Sequence, residues 1–106
     1  MDIQDQIKYK LETIFNKYKF TLDQRASAVM DLIKLGEAKT IDTLSFEMSE
    51  EQKTSLNNFF SPEMKESDMK KVYDYLSEIF TLEKVTEVRG AVYDTLITEY
   101  IQHMNL

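Results

Sequence analysis

Cysteine and tryptophan are absent from this 106-residue chain, proline occurs once, histidine once and glycine twice. Without cysteine there are no disulfides, no thiol nucleophile and no cysteine-ligated metal. So little glycine and proline cannot supply the turns of a loop-rich or all-β protein. No run of aliphatic or aromatic residues exceeds three, against the roughly 20 needed for a membrane-spanning helix. The start, MDIQDQ, is polar and acidic, unlike a signal peptide. These absences predict a soluble, cytoplasmic protein, with residues 1–106 forming a single helical domain.

The shortage of histidine also limits chemistry. His103 stands near the chain end with Glu99 one helical turn before it. A di-iron bundle needs two Glu-x-x-His motifs and a zinc site several further ligands. A Ser-His-Asp triad needs a rigidly held imidazole, which a terminal turn does not provide. No glycine-rich phosphate loop is present. The sequence therefore predicts no catalytic, cofactor-binding or metal-binding residues, and a non-enzymatic protein.

What is abundant is charge and helix formers. The net charge is −6, unevenly spread: residues 1–40 carry 7 Lys/Arg and 6 Asp/Glu, and residues 41–106 carry 6 and 13. The only basic cluster, Lys8, Lys10, Lys17 and Lys19, reads as a solvated helix face, which argues against nucleic acid as a partner. Glu, Lys, Leu, Met and Gln are common, all good helix formers.

Periodicity places the elements. Ile3, Ile7, Leu11, Ile14, Phe15 and Tyr18 recur at spacings of three and four, predicting a helix over 3–19. Thr21 and Gln24 form a capping box that opens a second helix over 22–35. Gly36 suits the left-handed position just past its end. Leu22, Ala26, Val29, Met30 and Ile33 make one stripe on it, and Ala28, Leu32 and Leu35 another, roughly opposite. Such a two-faced helix lies between neighbours or touches a partner. Residues 37–48 read as irregular or a short extended stretch, because Leu44, Phe46 and Met48 alternate; Ile41, Leu44 and Met48 also fit a helical turn. Ser49 and Gln52 repeat the capping box and start a short helix over 49–60. Ser61-Pro62-Glu63 is a helix restart. Helices over 68–80, with Ser67-Asp68 as cap, and over 82–104, capped by Thr81, complete an all-α fold: a small bundle of four main helices plus one short one.

The phrase Val72-Tyr-Asp-Tyr-Leu76 returns as Val92-Tyr-Asp-Thr-Leu96. In each copy two aliphatics and a tyrosine share an arc and the aspartate faces away, as a 3.6-residue period requires of a core-facing turn. Both copies can face one core only if the chain turns at Thr81. Mid-helix, Gly90 suits close approach of another helix.

On the last helix Val92, Tyr93, Leu96, Ile97, Tyr100, Ile101 and Met104 span about half the circumference, wider than a core-facing stripe needs. Either several helices enclose this end, or Tyr93, Ile97, Tyr100, Ile101 and Met104 form an interface, including one for a homodimer. Lys, Asn, Ile, Tyr and Phe usage resembles that of small proteins from low-GC bacteria, their phages and plasmids. In length and helicity the chain resembles bacteriocin immunity proteins, although no motif singles these out. The expected function is a protein–protein interaction module, a small regulatory or adaptor protein. The alternative is an immunity or inhibitor protein whose acidic C-terminal part occupies a basic site on a target.

Overall fold

The second helix does not stop at Gly36. In the computed structural model, which describes residues 2–59 and 66–104 (the first three of the latter in backbone only), the helices are α1 (Ile3–Lys17), α2 (Leu22–Ser45), α3 (Glu50–Asn57), α4 (Glu66–Phe80) and α5 (Leu82–Met104). No strand occurs among the described residues. The all-α expectation holds, and the irregular or extended stretch expected near 37–48 is corrected: residues 37–45 continue α2. No described glycine has a positive φ, so Gly36 is an interior helical residue. One interior glycine costs only about 1 kcal/mol relative to alanine, which one buried face can offset. That face is a single stripe at three- and four-residue spacings, Ala28, Val29, Leu32, Ile33, Gly36, Glu37, Thr40, Ile41 and Leu44, all buried or half-buried. The two expected stripes are redrawn: Val29 and Ile33 of the first join Ala28 and Leu32 of the second on this one face, while Leu22, Ala26, Met30 and Leu35 are exposed. The Ser61-Pro62-Glu63 restart lies outside the described residues.

The helix ends follow backbone chemistry. Asp2 caps α1 by accepting from the Asp5 N–H at 2.9 Å. At its other end Lys19 takes a positive φ of 56°. The Phe20 N–H then reaches the Phe15 carbonyl (2.9 Å) and the Lys19 N–H that of Asn16 (3.3 Å). This is a Schellman closure, with its apolar contact made by the Phe15 and Phe20 rings, 5.1 Å apart. It ends α1 two residues before the expected Lys19. Both capping boxes form. The Gln24 N–H donates to Thr21 Oγ1 and the Thr21 N–H to Gln24 Oε1, at 3.1 and 2.8 Å; Ser49 and Gln52 do the same. Thr81 alone joins α4 to α5, with φ 82°.

The chain forms two compact units. Unit 1, residues 1–39 and 90–106, holds α1, the first part of α2 and the last part of α5. Its core is Ile7, Leu11, Phe15, Val29, Leu32, Tyr93, Leu96 and Ile97. Unit 2, residues 40–89, holds the end of α2, α3, α4 and the start of α5, around Ile41, Leu44, Met48, Leu56, Val72, Leu76 and Val85. Each unit thus combines a short helix, the start of the long helix that follows it, and the end of the other long helix. A sixty-residue repeat underlies this. Phe20-Thr-Leu-Asp23 returns as Phe80-Thr-Leu-Glu83, and the stripe of α2 returns on α5 as Val88, Arg89, Val92, Tyr93, Leu96, Ile97, Tyr100, Ile101 and Met104, again all buried or half-buried. The twenty-residue phrase is packing, as expected: Val72, Leu76, Tyr93 and Leu96 are buried, Tyr73 and Val92 are half-buried, and Asp74 and Asp94 face solvent.

The close approach expected at Gly90 is found at Gly36 instead. A Cβ on Gly90 would meet nothing within 4 Å, whereas one on Gly36 would lie 2.4 Å from Tyr93 Cε1 and 2.5 Å from its Cζ. Close approach therefore occurs at Gly36, and Gly90 is a slack position. Gly36→Ala should destabilise by about 1–3 kcal/mol through overpacking, while Gly90→Ala should stabilise by about 0.5–1 kcal/mol through helix propensity. Urea melts of the two variants should show midpoints moving in opposite directions.

Candidate functional site

Within unit 1, α5 meets both α1 and α2, and this accounts for the width of its apolar face. Tyr93 and Ile97 are buried in the unit's own core. Tyr100 and Ile101 pack half-buried against that core, and Met104 is also half-buried. The Tyr18 hydroxyl donates to the Met104 carbonyl, and Lys10 Nζ lies 3.1 Å from Asp94 Oδ1 across an exposed edge. Of the five expected interface residues, two are committed to the fold and three retain partial exposure. Burial pushes the Tyr100 phenol above its ordinary value.

The Tyr93 ring lies over Gly36, and its hydroxyl ends 3.2 Å from the Ile33 carbonyl and 2.9 Å from Glu37 Oε1. One hydroxyl proton faces two acceptors, so the ring is fixed in rotation as well as in depth. In unit 2 the Arg89 guanidinium lies 5.2 Å from the Tyr73 ring centroid, a comparable aromatic anchor. His103 is exposed on the last turn of α5, and among the described residues no three metal-capable side chains cluster.

An accessible apolar surface lies elsewhere, between α1 and α2. An open groove of about 430 Å³ is lined by Lys8, Tyr9, Glu12 and Phe15 of α1 and by Leu22, Arg25 and Ala26 of α2. The spacing of 22, 25 and 26 puts the three α2 residues on one face. Phe15 is buried, yet Tyr9 is 72% and Leu22 82% exposed. Arg25 is held in place: its Nε–H donates to the Phe20 carbonyl (3.1 Å), Nη2 donates to Asn16 Oδ1 (3.1 Å), and its Cζ lies 5.7 Å from the Phe15 ring centroid. Lys8 is exposed. The groove therefore offers an apolar surface, two cations and one carboxylate. A second open groove, about 400 Å³, lies on the other side of α2, where Phe20, Leu32, Leu35 and Tyr100 are rimmed by Gln24, Ser27 and Asp31.

The sequence reading did not single out Tyr9 or Arg25. Tyr9 falls outside the apolar arc of α1, and an off-stripe tyrosine between two lysines was the available signal. No protein-family model, curated protein or solved structure matches this chain.

Two substitutions separate the roles of the tyrosines. Tyr93→Phe keeps the ring and removes its hydrogen bonds, at an expected cost of about 1–2 kcal/mol; Tyr93→Ala should cost about 3–5 kcal/mol. Asp94→Ala should change stability by less than about 1 kcal/mol, since its ion pair is exposed. A raised phenol pKa in the fold means that stability is complete below the unfolded value and falls as pH climbs past about 10. Tyr100→Phe should flatten that alkaline decline in denaturant melts run across the range.

Proposed function

We propose that this chain is a protein-binding module, a small regulatory or adaptor protein, that receives its partner on the α1–α2 face. The observation that carries this reading is the side-by-side exposure of Tyr9 and Leu22 on the rim of a groove floored by Phe15. Two large apolar side chains held open to water on neighbouring helices give no stability to the monomer. Tyrosine and arginine, both of which line this groove, are enriched among the residues that dominate binding energy. Met30 extends the same face, two turns along α2 from Leu22 and 45% exposed. The matching partner surface carries an apolar side chain to enter the groove and an acidic group to meet Lys8 and Arg25.

A second reading uses the acidic half of the chain. Asp74 and Glu78 on α4, and Glu83 and Glu87 on α5, are exposed pairs of like charge one turn apart, an arrangement that slightly weakens a helix and suits a basic target. An inhibitor acting through those carboxylates would bind with an affinity falling steeply with ionic strength. Docking on the groove would be far less sensitive to salt.

Leu22→Glu and Tyr9→Ala should leave the melting midpoint within about 0.5 kcal/mol of wild type, as exposed substitutions do. Both should abolish cross-linking to any partner that wild type captures from its native extract. Recovery of the same partner by both variants, with loss only on Glu83→Lys/Glu87→Lys, would move the site to the acidic surface.

A further inference from the structure

We propose that Thr81 is a hinge through which two copies of this chain exchange α5. Thr81 is the sole residue between α4 and α5 and holds φ at 82°. A β-branched residue in that region is strained, where glycine or asparagine would not be. Lys19, the other described non-glycine residue with positive φ, closes its helix with four residues separating α1 from α2. Thr81 has no such slack.

The backbone on either side is nearly that of one helix. The Thr81 N–H donates to the Ser77 carbonyl at 2.9 Å, and the Val85 N–H to the Thr81 carbonyl at 3.2 Å. Both are the four-residue bonds of an α-helix. Only the N–H groups of residues 82 to 84 differ in partner: a straight helix would give them the carbonyls of residues 78 to 80, whereas here the Lys84 N–H is met by Thr81 Oγ1 at 3.3 Å. The cap is half a capping box, because Lys84 stands where Gln24 and Gln52 reach back at the two complete ones. Rotation of this one residue into the right-handed region would therefore fuse α4 and α5 into a single helix over 66–104.

The bent form persists because Leu76, Val72 and Phe80 pack with Val85 and Val88 inside unit 2. A straightened chain loses those contacts and regains them only on an identical surface, which a second copy supplies. The occupant is thus another molecule of this chain, with α5 exchanged reciprocally. Short connections under strain favour such exchange. The proposal is independent of the α1–α2 groove and needs no exposed face on α5.

The test refolds wild type, Thr81→Ala and Thr81→Gly at high micromolar concentration and measures association by sedimentation equilibrium. Alanine keeps the strain, loses the cap and favours a straight helix; glycine removes the strain and disfavours one. Dimerisation of T81A should be roughly tenfold or more tighter than wild type, and that of T81G roughly tenfold or more weaker. Since the chain lacks cysteine, spin labels at Lys70→Cys and Glu99→Cys, diluted with unlabelled chain, report one intrachain distance. In the dimer it should be about 44 Å, the rise of a continuous helix. Equal association constants for the variants, monomers throughout, or a dimer lacking the long distance would overturn the proposal. If T81A fails to fold by circular dichroism, wild type against T81G still decides it.

Discussion

Unit 1 depends on one contact, the Tyr93 ring seated on the backbone of Gly36. A tyrosine buries on the order of 150–250 Å², and only a residue without a side chain lets that bulk lie directly against a helix. The hydroxyl then needs a buried partner, and Ile33 and Glu37, flanking Gly36 by three residues and one, provide it. Ring, glycine and acceptors specify a single rotation and height of α5 against α2. The remaining members of that core, Ile7, Leu11 and Phe15 from α1, Val29 and Leu32 from α2 and Leu96 and Ile97 from α5, are aliphatic or aromatic and would tolerate a slipped register. The polar anchor does not.

This arrangement explains where the sequence was readable and where it was not. α1 and α5 were legible because their buried positions are apolar, and every helix start with a Thr or Ser three residues before Gln formed its cap. Residues 37–45 were not legible. There the buried stripe runs through Gly36, Glu37 and Thr40, three residues that in isolation mark an end, an exposed face and a turn. The burial of Gly36 and Glu37 makes sense only once Tyr93, more than fifty positions away in sequence, is placed above them. Gly36 and Gly90 were misassigned for the same reason, since a glycine's use is decided by what approaches it.

The surface was less legible than the core. The breadth of the apolar face on α5 was correctly seen, but periodicity counts how much must be covered, not by what. The fold covers most of it with α1 and α2. Leu22 looked like part of a buried stripe because it shares a helix face with Ala26 and Met30, yet all three lie on the open side of α2. Exposure there follows because no further helix among the described residues covers that side of α2, and that is a property of topology rather than of local pattern.

The sixty-residue repeat gives the Gly36–Tyr93 pair a second meaning. The counterparts of these two positions are Leu96 and Ile33, so the same juncture is occupied by a very small and a very large residue in one sense and by two medium ones in the other. Total bulk is similar, but its distribution is not. Two long helices with the same buried register and the same Phe-Thr-Leu opening share a backbone pattern, and what tells them apart is the side chains along that register. The lopsided pair labels them. α5 in the position of α2 would set Tyr93 where only glycine fits, and α2 in the position of α5 would leave a hole where the ring should be. The cost of one helical glycine thereby adds to the contrasts at Glu37 against Ile97 and Thr40 against Tyr100 that set the two helices apart.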